Sequence, residues 1–238
     1  VQAKLKEYGI PVMYWHQSSS VQQRELEEFI TSLGVNIETR NRHIIAPLEL
    51  DIYIPSHRLA IEYCGLYWHT TEYKDPEYHV TKFNKCANVG VRLLTIYSDE
   101  WLNTRTLVEQ KIRSVLGLLN GDRVFARKCV VKNVPVADKQ SFFSRYHLQG
   151  NGPSSINLGL YHNNQLVACL GFIKRGNDTY TLNRYATSTS VVGGFSKLLS
   201  HFITTYHPRE IVTFADRRWS DGNLYARTGF VLDAVIPI

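Results

Sequence analysis

The sequence predicts an α/β protein of two units, each a mixed sheet flanked by helices, and three observations carry that expectation. Apolar and polar residues alternate over 49–54 before an extended return at 59–64, helical spacing alternates with β-branched runs along the rest of the chain, and the basic excess is confined to the second half. With 238 residues, the chain exceeds the usual size of a single core, so two domains follow an opening segment. The expected limits are 1–19 for a linker or the tail of a preceding repeat, 20–120 for the first domain and 121–238 for the second.

The first unit is legible element by element. A leading helix follows Ser20. Leu50, Ile52 and Ile54 then alternate with Glu49, Asp51 and Tyr53, the period-two pattern of a strand with one apolar and one polar face. Pro55-Ser56-His57-Arg58 is rich in turn formers, and Leu59 to Cys64 resumes an extended pattern, so an antiparallel return brings Glu62 back beside Asp51. Two carboxylates on one half-buried face are costly unless a cation neutralises them, and hard divalent cations prefer oxygen ligands. A polar strand face open to solvent carries the same alternation and is the plain alternative. The chain leaves the sheet at Gly65 and presents Tyr67, Trp68 and His69, where an imidazole can act as base for a metal-bound water.

His79, Lys82, Phe83 and Cys86 recur at helical spacing, which predicts a helix over 76–88 with His79 and Lys82 on one face. Gly90 introduces the run Val91 to Tyr97, dense in β-branched and apolar residues, which reads as a buried central strand. Val108, Ile112, Val115, Leu116 and Leu119 mark an amphipathic helix over 104–119, stopped by Asn120-Gly121.

In the second unit a helix is expected around 137–146. Strands follow at 158–161 and 166–173 about the turn Asn163-Asn164, and a third at 180–185 after the turn 175–178. Gly193-Gly194 leads into a helix over 195–205. A strand at 211–215, a short helix at 224–227 and a last strand at 230–235 complete the expected order.

Composition bounds the function class. Hydrophobic content of 44% and aromatic content of 12% suffice for packed cores, and no apolar run approaches the ~20 residues that span a bilayer. The four cysteines, Cys64, Cys86, Cys129 and Cys169, form no CxxC pair, so they read as buried thiols in a reducing compartment, and a cytoplasmic location is expected. The net charge of +6 divides unevenly: residues 1–120 hold 13 Lys and Arg against 14 Asp and Glu, while residues 121–238 hold 14 against 7. Positive charge attracts polyphosphate through counterion release, which makes the second half a candidate docking surface for nucleic acid, with modest positive charge that aids solubility as the plain alternative. Arg184, Lys197, Arg217, Arg218 and Trp219 fall at its strand ends and loops, the cations and aromatics that grip a phosphate backbone.

The ordered pieces from Ser20 to Trp101 resemble the very-short-patch-repair, EDxHD-type branch of the PD-(D/E)XK nuclease superfamily, which also includes phage and intein-associated homing endonucleases. These pieces are the leading helix, Asn41-Arg42, ELDIYIP, LAIEYCGLYWH, YHVTK from Tyr78 to Lys82, and GVRLLTIYSDEW. The resemblance implies a PD-(D/E)XK-like core and Mg²⁺-dependent phosphodiester cleavage in double-stranded DNA, with Mn²⁺ substituting. Asp51 is then the principal metal ligand with Glu62 beside it, His69 lies near the attacking water, and His79 and Lys82 lie near the scissile phosphate. In that family a helix opening S-x-x-E supplies a further acid. Here Gln23 holds that slot and Glu25 lies two residues on. Glu25 is taken as the acid; if Gln23 keeps the slot, the site has lost a carboxylate and cleavage is weakened.

The order of elements after 121 resembles the GNAT acyltransferase fold, with Gly193-Gly194 where such folds hold a pyrophosphate at a helix amino terminus. No residue stands out as an acyl-transfer base, so a fold used for DNA docking is favoured over acetyl transfer. One catalytic centre per chain cuts one strand, leaving a nicking monomer and a dimer on DNA both open. The functional expectation is therefore a metal-dependent endodeoxyribonuclease, with acetyltransferase activity of the second half, or a catalytically weak DNA-binding protein, as alternatives.

Overall fold

A computed structural model of the chain describes residues 21–65, 76–119, 123–220 and 222–235. The expected segment 1–19, the boundary at Asn120-Gly121, and Tyr67, Trp68 and His69 lie outside the described residues.

The first half forms a four-stranded mixed sheet. Helix α1 (Val21–Ser32) precedes β1 (Glu38–Asn41), β2 (Leu50–Ile54) and β3 (Leu59–Cys64). Helix α2 (Pro76–Asn88), β4 (Arg92–Tyr97), α3 (Ser98–Asn103) and α4 (Arg105–Val115) follow. The strand order is β1-β2-β3-β4, with β3 and β4 parallel and the other pairs antiparallel. A one-turn 3-10 helix at Pro55–His57 makes the β2–β3 reversal, and Arg58 closes it at φ 46. The parallel β3–β4 pair needs a crossover, and α2 supplies it.

Both faces of this sheet are covered. Ile52, Ile54, Leu59, Ile61, Leu94 and Ile96 pack on α1, Trp101 and α4, while Leu50, Tyr53, Ala60 and Leu93 pack toward α2 through Phe83 and Cys86. This corrects the expectation of one polar face. Tyr53 of β2 and Ala60 of β3 lie on the face toward α2, and by the same alternation Asp51 and Glu62 share it. Two further details differ from the sequence reading. Ser98 to Asn103 coils into a helix, and α4 ends at Val115, with Gly117 at φ 70 just past its cap.

The second half comprises β5 (Val124–Phe125), β6 (Val130–Asn133), α5 (Val136–Tyr146), β7 (Ile156–His162), β8 (Gln165–Gly176) and β9 (Thr179–Thr187). It continues with β10 (Val191–Val192), α6 (Gly194–Tyr206), β11 (Glu210–Thr213) and α7 (Asn223–Ala226). Five strands order as β11-β9-β8-β7-β6, all antiparallel except β11 against β9, and β5 pairs with β10 in a separate parallel ribbon. The two hairpin turns are set by Asn163 and Asn164 (φ 50 and 62) and by Asn177 and Asp178 (φ 45 and 57), residue types that tolerate the left-handed region. Helix α6 covers one face through Phe195, Leu198, Leu199 and Phe202, and α5 covers the other through Phe142 and Phe143.

The strand expected at 230–235 does not form. Its apolar pattern has no neighbouring strand, and Val231 and Leu232 stand 89% and 80% exposed. Phe230 instead sets its ring against Tyr225, with centroids 5.7 Å apart. Strands β1, β5, β6 and β10, none of which the sequence pattern announces, are short.

The two halves are joined by the segment after β11. Arg92 of β4 donates to the Trp219 carbonyl at 2.8 Å, the Arg217 guanidinium lies 4.2 Å from the Phe83 ring centre, and Trp219 packs against the first core.

Candidate functional site

The site lies where the β2–β3 ladder ends. Paired residues run from Ile54↔Leu59 to Ile52↔Ile61, and one step beyond, side chains take over from backbone. The Asp51 N–H donates to Glu62 Oε1 at 3.1 Å, and the Tyr63 N–H donates to Asp51 Oδ2 at 2.9 Å. Each carboxylate thus accepts a backbone N–H from the opposite strand, which fixes both acids on the face that α2 covers. A backbone N–H left unpaired there would cost on the order of 1–3 kcal/mol.

Lys82 completes the group. It projects from α2 onto Glu62 Oε2 in a salt bridge, and both residues are buried, Lys82 at 3% and Glu62 at 7% exposed. Its ammonium also lies 5.7 Å from the Tyr78 ring centre, one helical turn earlier. The electrostatics follow from burial. Glu62 is raised from 4.5 to about 7, first by loss of hydration and then by the Asp51 charge, with Lys82 opposing both. Burial works against the Lys82 charge, but Glu62 outweighs it and its pKa ends above the ordinary value. Cys86, one turn beyond Lys82, is fully buried and raised to about 11 by burial and by Glu62, so it stays a neutral thiol.

The remaining expected residues divide. His79 is half-buried on α2, edge-on to Tyr78 with centroids 5.6 Å apart. His69 lies outside the described residues. The hydrogen bonds of Glu25 run to Trp101 Nε1 at 3.2 Å and Arg105 Nη1 at 2.8 Å, on the α3–α4 side of the sheet. Gln23 donates to Glu27 at 3.0 Å.

The cations expected to grip phosphate in the second half are mostly engaged within the protein. Lys197 donates to the Ala126 and Cys129 carbonyls at 2.9 and 2.7 Å, closing the 3-10 turn at 126–128. Arg218 pairs with Asp216 and Glu100 and lies 4.5 Å from the Tyr97 ring centre. Arg217 and Trp219 make the inter-sheet contacts given above. Arg184 donates to the Asn183 carbonyl at 2.9 Å, and its Nε is buried without an acceptor. The Arg217 to Trp219 clasp was not expected; a basic run after a strand, with its aromatic, reads equally well as a surface grip.

The donor chemistry at Asp51 and Glu62 fits a magnesium-type ion, which is held by one or two carboxylates and completes its shell with water and phosphate oxygens. Among the described residues no group of three His, Cys, Asp or Glu gathers as a closed metal cage. No described helix is long and apolar enough to cross a membrane.

The chain is thus a mixed α/β protein whose sheets are flanked by helices. No family model and no curated protein matches it. Among solved structures it is similar to the catalytic domain of the homing endonuclease I-Bth0305I, at 26% identity over 42% of this chain and 96% of that domain, with a TM-score of 0.35.

Proposed function

We propose that the chain is an endonuclease that hydrolyses phosphodiester bonds in double-stranded DNA with Mg²⁺ bound at Asp51 and Glu62, Mn²⁺ substituting. The observation that carries this reading is the group of half-buried Asp51 with buried Glu62 and Lys82: two carboxylates held by cross-strand N–H donors, with one ammonium fixed beside them. A bound Mg²⁺ supplies charge neutralisation at the phosphate and a more acidic water. Lys82, kept protonated by Glu62, offers a preorganised positive charge for the transition state at no reorganisation cost. His79 orients the phosphate or protonates the leaving oxygen, and His69 takes the proton of the attacking water. The PD-(D/E)XK-like order of motifs from Ser20 to Trp101 supports the same reading, and the basic second half supplies docking charge.

A second reading, a DNA-binding protein of weak cleavage, is favoured by one observation: Glu25 is tied to Arg105 and Trp101, and Gln23 occupies the helix slot. Plasmid nicking across a metal series separates the two. Cleavage with Mg²⁺ that Asp51→Ala abolishes while duplex binding persists supports the endonuclease. Salt-dependent binding with no cleavage under any metal leaves the binding protein.

A further inference from the structure

We propose that the corner between β5 and β6 is the surface of the second half that grips duplex DNA, with Arg127, Lys128 and Lys132 on the phosphate backbone. The inference takes its partner from the proposed function. It supplies a grip where the expected one is spent, since Lys197, Arg217 and Arg218 hold carbonyls, an aromatic ring and two acids within the protein.

The corner displays its charge on a seated backbone. The 3-10 turn Ala126–Lys128 joins β5 to β6, and Ala126 and Cys129 bury its ends in the second core, each 4% exposed. Arg127 and Lys128, between those anchors, are exposed, as is Lys132 on β6. Lys132 leans back toward the turn: its ammonium lies 5.2 Å from the centre of the Tyr161 ring, and Tyr161 sits opposite Val130, two residues from Lys128. Arg127 and Lys132 are five residues apart, at most about 18 Å of chain, against roughly 34 Å for one turn of duplex. Phe125 stands 39% exposed with the Arg127 guanidinium 5.2 Å from its ring centre, which sets an apolar surface beside the cations.

No acid answers this charge. Residues 123–137 contain no Asp or Glu, and neither do β7 and β10, the strands paired with β6 and β5. Among the described residues Arg127, Lys128 and Lys132 form no ion pair, whereas Arg42, Lys82, Arg105 and Arg218 each have one. Strand β6 is the edge of its sheet, so no further strand of that sheet covers it. A surface that serves solubility intersperses both signs. One that meets a duplex, with a negative charge for about every 1.7 Å of its axis, gathers a single sign.

The test uses the full chain, with anisotropy of a labelled DNA duplex in EDTA over a salt series, so that no cleavage enters. Arg127→Gln with Lys128→Gln should weaken binding and make the slope of log K against log salt shallower by about 1.8, or 0.9 for each of two phosphates no longer neutralised. Lys174→Gln with Arg209→Gln removes as much exposed charge near the β8–β9 turn and before β11, and should leave the slope at the parental value. Arg127→Lys with Lys128→Arg keeps both charges and should keep the slope, which separates charge from any change in the turn. An equal fall in both Gln pairs would assign binding to net charge and overturn the corner, as would an unchanged slope in the first pair or no duplex binding by the parent. An RNA duplex bound as tightly as DNA, with the same loss in the first pair, would overturn the DNA partner. Failure of the nuclease reading appears in the plasmid assay alone: a chain that grips duplex through this corner and never nicks it keeps the corner and loses the cleavage.

Discussion

Arg218, after the last strand of the second sheet, reaches Glu100 of α3 with Nη1 3.1 Å from Oε1, and each side chain is only 15% exposed. The same guanidinium holds Asp216 at 2.6 Å. Arg218→Ala leaves two acids without their cation in a largely water-excluded seam. We expect a loss of about 2–4 kcal/mol in urea unfolding, with the two halves no longer melting in one transition when followed by separate probes.

Glu62 gives the site a pH signature. Its pKa is raised in the fold, from 4.5 to about 7, so the folded state holds the proton more tightly than the unfolded chain. That contribution to stability is fully present below pH 4.5 and is lost as pH rises to about 7. The stability of the parent minus that of Glu62→Gln, measured by denaturation without divalent ions, should fall across this window. Added Mg²⁺ should lessen the fall in the parent alone, because the ion replaces the proton on the carboxylate.

His147 works in the opposite sense. Its pKa is lowered from 6.5 to about 4, so its contribution is present above 6.5 and is lost as pH falls toward 4. Between 4.5 and 6.5 the two slopes oppose each other and flatten the parent's profile. His147→Asn should unmask the Glu62 slope, with the variant gaining on the parent as the solution is acidified.

Phe202 is the keystone of the second core. It is fully buried, stacked on Phe172 with centroids 3.6 Å apart and edge-on to Tyr180 at 5.0 Å. Phe202→Ala should cost about 3–5 kcal/mol by lost transfer energy and the remaining cavity, read as a lower midpoint in chemical denaturation.

Lys197→Met strips two carbonyls of their donor. It should lower stability by roughly 1–3 kcal/mol while duplex affinity and its salt slope stay at parental values. A weakened salt slope instead would return Lys197 to the phosphate-gripping set.

The site was legible where local pattern and chemistry agree. The alternation around Asp51, the return through Glu62 and the helical spacing of Lys82 place these three side chains on two strands and a helix, and the structure brings them together. What the pattern could not reveal is which charges are consumed inside the molecule. Arg217, Arg218 and Lys197 look like surface cations because a sequence shows residue type but not the carbonyl, ring or acid that folding brings from far along the chain. Strand pairing failed for a related reason. Residues 230–235 have the composition of a strand, but a strand exists only with a neighbour, while the two-residue β5 and β10 lack any internal period and owe their form to each other.

The contacts of Arg217 and Trp219 have a consequence for modularity. Helix α2 carries Lys82 inward, yet Phe83, its next residue, lies beneath an arginine of the other half, and the strand after it is pinned by the Trp219 carbonyl. A fragment severed near residue 119 would keep every atom of the acidic pair and its ammonium but lose the brace that seats them. Recombination that exchanged the carboxy-terminal portion for a foreign one would therefore have to bring its own arginine and indole, or inherit a loosened helix α2.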